Sequence, residues 1–90
     1  MASAKKLLER MSRTKSGWNP SDLDTVYLSK GFIKREGANH TVYVHPEFPI
    51  LRATVARHGE LPPGYIEHLL GKMRELEILK EQQEAENENA

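Results

Sequence analysis

The feature that most limits what this chain can fold into is a change of hydrophobic period at Gly31-Phe32. Before it, Leu23, Val26 and Tyr27 recur at i, i+3 and i+4, one face of a helix that Lys30-Gly31 ends. After it, the pattern alternates with period two. Phe32–Glu36 reads as a basic strand, His40–His45 as a β-branched and aromatic strand, and Leu51–Arg57 as a third with Leu51, Ala53 and Val55 on one face. The connections Gly37-Ala38-Asn39 and Pro46-Glu47-Phe48-Pro49 are short, which predicts one antiparallel meander. A three-stranded sheet needs one covered face, so helices must supply the cover.

Three helices are available. Residues 2–13 carry Leu7, Leu8 and Met11, a short helix predicted to add little to the core and to fray. The second opens at Asn19-Pro20-Ser21-Asp22, with either Asn19 before Pro20 or Ser21 paired with Asp24 as its cap. Gly59-Glu60-Leu61-Pro62-Pro63-Gly64 is a loop into the last, whose stripe is Ile66, Leu69, Leu70, Met73, Leu76 and Leu79. That stripe is long for one small core, and predicts a homo-oligomer formed through the far end of the helix. Residues 81–90 (EQQEAENENA) are acidic, of low complexity, and predicted to be frayed or disordered. Ninety residues make one domain, predicted over 1–80 with its core in 20–79. The expected class is α+β: an αβββα unit, the order of double-stranded-RNA-binding domains, with an extra N-terminal helix and two helices on one sheet face.

Composition excludes several functions. With no cysteine there is no disulfide framework or thiolate zinc site. Apolar runs such as Val42-Tyr43-Val44 are too short for a membrane span or the apolar core of a signal, so a cytoplasmic protein without membrane partners is expected. The net charge of zero hides two opposite parts. Residues 1–58 hold ten Lys and Arg against five acids, and 59–90 hold three against eight. The basic part fits a polyanion partner, or is simply balanced by an exposed acidic helix.

The candidate chemistry lies with histidine, at His40, His45, His58 and His68. Cleaving an RNA phosphodiester takes one proton from the 2′-hydroxyl and gives one to the leaving 5′-oxygen, and histidine does either near neutral pH. His40 is the best placed. It follows a turn of small residues, Gly37-Ala38-Asn39, that lets a phosphate approach, and Lys34 and Arg35 stand just before that turn to stabilise the transition state. The alternative is that His40 merely closes a hairpin. His45, before Pro46, reads as an exposed strand end, His58 as the end of the third strand, and His68 as solvated among acids. Alternation puts His40 with Val42 and Val44; if the valines face the helices, His40 sits at the core rim. Tyr43, Arg52 and Thr54 are expected to share a polar face able to stack a base. No carboxylate stands at ligand spacing from the histidines, so neither metal nor other cofactor is expected.

The run Gly31-Phe32-Ile33-Lys34-Arg35-Glu36-Gly37-Ala38-Asn39-His40-Thr41-Val42-Tyr43-Val44-His45-Pro46 resembles the HicA (YcfA-like) family of mRNA interferase toxins from type II toxin–antitoxin systems. The shared succession is a helix ending in Gly-Phe, a basic strand, a small-residue turn meeting a histidine, an aromatic strand to His-Pro, a further strand and a last helix. It covers residues 21–76, about two-thirds of the chain. The resemblance implies a double-stranded-RNA-binding-like fold and a metal-independent endoribonuclease that cuts mRNA. It implies His40 as the functional histidine and a HicB-type antitoxin as the neutralising partner. Lys34, Arg35, Asn39, Tyr43 and Arg52 are the expected RNA contacts. The chain has Ala38-Asn39 and Thr41 where many members carry Gly-Ser before the histidine and a second histidine after it. The alternative is a catalytically inactive RNA-binding or protein-interaction module of the same fold. The start of the last helix, Pro62-Pro63-Gly64-Tyr65-Ile66-Glu67, lacks the lysine cluster of duplex binders, which favours single strands.

Overall fold

The computed structural model describes residues 3–88. Its order is α1 (Ala4–Arg13), α2 (Pro20–Ser29), β1 (Ile33–Glu36), β2 (His40–Val44), β3 (Arg52–Ala56) and α3 (Pro63–Glu88). The fold is α+β, with an antiparallel sheet ordered β1-β2-β3 and compatible with the αβββα succession. No described helix is long and apolar enough to cross a membrane.

Local chemistry sets the helix ends. Ser3 caps α1 by accepting from the Lys6 N–H at 3.3 Å, and Lys15 Nζ donates to the carbonyls of Met11 and Ser12 at its other end. Of the two caps open for α2, the chain uses Asn19, which with Asp22 completes a reciprocal capping box ahead of Pro20. The helix ends in a Schellman motif. Phe32 N–H donates to the Tyr27 carbonyl at 3.1 Å and Gly31 N–H to that of Leu28 at 3.2 Å, with Gly31 at φ +88°.

One core joins the three helices to β2 and β3, while the four residues of β1 are exposed. Leu23, Val26 and Tyr27 of α2 and Ile66, Leu69, Met73 and Leu76 of α3 are buried against Tyr43, Ala53 and Val55 of the sheet. The first helix contributes more than its length suggests. Met11 is fully buried and Leu7 nearly so, and Trp18 just beyond packs beneath Arg10 while its Nε1 donates to the Thr14 carbonyl at 2.8 Å. Leu61 N–H then donates to the Trp18 carbonyl at 2.8 Å, tying the loop before α3 to the segment after α1.

The stripe of α3 is spent within the chain as far as Leu76, with Leu79 half-buried against the same core. Ile78 stands exposed by itself. The helix runs on to Glu88, through the segment whose composition predicts fraying; residues 89–90 lie outside the described ones. Glu, Gln, Ala and Asn in that stretch include no glycine or proline to stop a helix already nucleated on the core.

Candidate functional site

The register decides which side chains meet. Tyr43 stands opposite Lys34 and Ala53, and Thr41 opposite Glu36 and Val55. Because Ala53 and Val55 are buried under the helices, Tyr43 and Thr41 must face inward too. His40, Val42 and Val44 therefore share the opposite, uncovered face with Ile33, Arg35, Arg52, Thr54 and Ala56. This reverses the expected arrangement: the valines do not face the helices, and His40 is not at the core rim.

Tyr43 is accordingly not beside Arg52. It is 2% exposed, stacked on Tyr27 with ring centroids 4.5 Å apart, and its hydroxyl donates to Asp24 Oδ1 at 2.7 Å. A tyrosine can be buried this way because Asp24 satisfies its polar tip. Burial pushes the Tyr43 and Tyr27 phenols well above their ordinary pKa, and at Tyr43 the bond to Asp24 raises it further. Lys34 lies on the same inner side. Its Nζ is 3.1 Å from Asp24 and 3.2 Å from Glu36, and these hydrogen bonds, Asp24 first, raise its pKa. Tyr43 is thus enclosed in a structural network rather than lying on an RNA-facing surface, whereas Lys34 remains exposed while paired with Asp24 and Glu36.

That network ends under the turn that carries His40. Arg57 donates from Nη1 to the Gly37 carbonyl and from its backbone N–H to the Asn39 carbonyl at 3.1 Å, and its Nη2 lies 3.9 Å from Glu36. Gly37 N–H donates to the His40 carbonyl at 2.8 Å, and a Cβ on Gly37 would come within 3.1 Å of that same oxygen. A side chain there would fit only if the turn backbone gave by a few tenths of an ångström. Arg57 is the positioning residue that sequence reasoning passed over; its signal was its place two residues after inward-facing Val55.

His40 itself opens β2, exposed, opposite Ala56. Arg35 stands opposite Val42, so it is a diagonal neighbour of His40 on the same face, about 7–8 Å away by ordinary sheet geometry. Asn39 is exposed in the turn, and Arg52 is exposed on the uncovered face but at the far end of β3 from Ala56. His58 follows Ala56 by two residues and is exposed at the His40 end of the sheet.

His45 is also corrected. It is buried, 3% exposed, between the Phe32 and Phe48 rings, and its Nδ1 accepts from the Glu47 N–H at 3.2 Å. The bond leaves the proton of a neutral ring on Nε2, which lies 3.3 Å from where a Gly31 Cβ would stand. His45 directly follows β2, five residues and about 17 Å of extended chain from His40. It closes the start of the β2–β3 connection and is no partner for His40. His68 is exposed on α3.

Among the described residues no group of three or more His, Asp or Glu is placed to hold a metal ion. No protein-family model, curated protein or solved structure matches the chain.

Proposed function

We propose that this protein is a HicA-type endoribonuclease with a double-stranded-RNA-binding-like fold, cutting mRNA in the cytoplasm through His40 and neutralised by a HicB-type antitoxin. The observation that carries the reading is His40 itself: exposed, at the mouth of a turn braced from below by Arg57, and on an open sheet face whose charged side chains, Arg35 and Arg52, are both cationic. Arg35, diagonal to His40, and Arg52, farther along the same face, give that face a positive charge suited to a phosphate backbone. Asn39, Arg35 and Arg52 take the RNA-contact roles, and Lys34 and Tyr43 stabilise the platform.

In this mechanism the 2′-oxygen attacks phosphorus as its proton passes to a base, the P–O5′ bond breaks, and an acid protonates the departing 5′-oxygen. The products carry a 2′,3′-cyclic phosphate and a 5′-hydroxyl. His40 performs one transfer. His58, at the same end of the sheet, is the group we assign to the other, and Arg35 offsets the charge that builds on the phosphoryl oxygens.

The test is RNA integrity and growth on induced expression, with purified protein assayed in a chelator. Wild type is expected to arrest growth and cut RNA, and His40→Ala, equally folded, to do neither. Equal activity of the two proteins would sink the reading. RNA bound by wild type but left intact would favour the non-catalytic module instead, a reading that Thr41 supports: it faces the core, away from His40, where many family members have a second histidine.

A further inference from the structure

A groove of about 560 Å³ lies where β3 meets the start of α3, lined by Arg52, Thr54, Pro62, Gly64, Tyr65 and His68. None of these residues is acidic. The ring of Tyr65 is half-buried, packed against the core on one side. At Gly64 an added Cβ would meet nothing within 4 Å, so the glycine leaves that wall of the groove open. The volume is within the range of small-ligand sites, and the lining combines an aromatic ring, a guanidinium, a hydroxyl and an imidazole.

We propose that this groove is a nucleobase-binding subsite for single-stranded RNA, with Tyr65 as the stacking ring and Arg52, Thr54 and His68 as the polar groups that meet the base edge. The inference rests on the ribonuclease reading and extends it to substrate choice. Flat aromatic and guanidinium surfaces with adjustable donors and acceptors are how proteins hold an unstacked base, and a duplex could not present one here. Charge agrees: the outward positions of the strands are Ile33, Arg35, His40, Val42, Val44, Arg52, Thr54 and Ala56, with no carboxylate among them. Distance agrees as well. Thr54 is a diagonal neighbour of His40, and Arg52 lies four residues along β3 from Ala56, about 14 Å away. A strand held at His40 can therefore lay a base a few nucleotides away into the groove. The base-stacking role expected of Tyr43 thus passes to Tyr65, from a different element.

The experiment titrates a short single-stranded oligoribonucleotide into the His40→Ala protein, expected on the ribonuclease reading to bind without cutting, alone and combined with Tyr65→Leu, Tyr65→Phe or Gly64→Leu. Tyr65→Leu removes the ring and is expected to weaken binding roughly 5- to 100-fold, while Tyr65→Phe keeps it and stays within about twofold. Gly64→Leu fills the groove from a position where leucine suits the helix better than glycine, so it weakens binding without unfolding the protein. An abasic nucleotide at one position should lower affinity for the parent protein and no further for the Tyr65→Leu protein. If the oligonucleotide binds but the three groove variants and the abasic scan leave affinity unchanged, the subsite is refuted and the ribonuclease reading stands. If wild type neither binds nor cuts RNA, that reading fails and the subsite with it. Weakened binding of a protein partner, with RNA affinity unchanged, would also overturn the subsite.

Discussion

Raising the pH should unfold this protein through two buried phenols. Tyr27 and Tyr43 are 0% and 2% exposed and stacked on one another, and both have pKa values displaced upward by burial, with the Asp24 bond adding to the shift at Tyr43. The folded state keeps both protons at a pH where the unfolded chain, titrating near its ordinary value of about 10, gives them up. The contribution of the two protonated phenols is therefore complete below about pH 10 and falls away progressively above it. Each phenol takes away about 1.4 kcal/mol per pH unit, so the two together remove about 3 kcal/mol by pH 11 and roughly 5–6 kcal/mol by pH 12. A chain of 90 residues has roughly 5–13 kcal/mol to lose. Lys34, whose pKa is also raised, acts in the same direction, but it is exposed and adds little. The assay is urea unfolding by circular dichroism between pH 8 and about pH 11.5, with phenolate absorbance followed alongside. Tyr43→Phe should halve the alkaline slope, and at neutral pH should cost roughly 1.5–3 kcal/mol for the lost bond to a charged acceptor. A slope above pH 10 that Tyr43→Phe leaves unchanged would refute the reasoning. So would ionisation of Tyr43 in a protein that remains folded.

Two further perturbations separate structural from dispensable features. Gly31→Ala puts a side chain on a residue at φ +88° and within 3.3 Å of His45 Nε2, so it should cost about 1–3 kcal/mol in the same urea titration; a neutral result would mean that the helix end and His45 yield together. Truncation after Lys80 removes a helical segment whose side chains from Glu81 to Asn87 are exposed to solvent. Unfolding stability should then change by less than about 0.5 kcal/mol, and a larger loss would place that segment in a contact the fold does not display.

Much of the architecture was legible because it depends on neighbours in the chain. The Asn19-Pro20 start, the Lys30-Gly31 stop and the change of period at Phe32 are local, and the observed elements follow them within a residue or so. Leu51, Ala53 and Val55 were likewise readable as one inward face, as they are. The site was legible where it is local as well: the small-residue turn does deliver an exposed histidine onto β2.

What could not be read was which face of β2 turns inward. His40–Val44 carries valines on one parity and Thr41 and Tyr43 on the other, so both are partly apolar, and composition favours the wrong one. Asp24 on α2 resolves the tie by accepting the Tyr43 hydroxyl, while Tyr27 supplies a ring to stack on it. Neither residue is near Tyr43 in sequence. The same holds for Met11, buried only because α2 and α3 close over it, for His45, enclosed by Phe32 and Phe48, and for Tyr65, which shares a groove with Arg52 only after α3 returns beside β3. Sequence alone determined the elements, their order and the exposed histidine, since propensity, capping and turn chemistry act over a few residues. Tertiary structure decided which side chains share a face, because burying a polar tip depends on a partner brought from elsewhere in the chain.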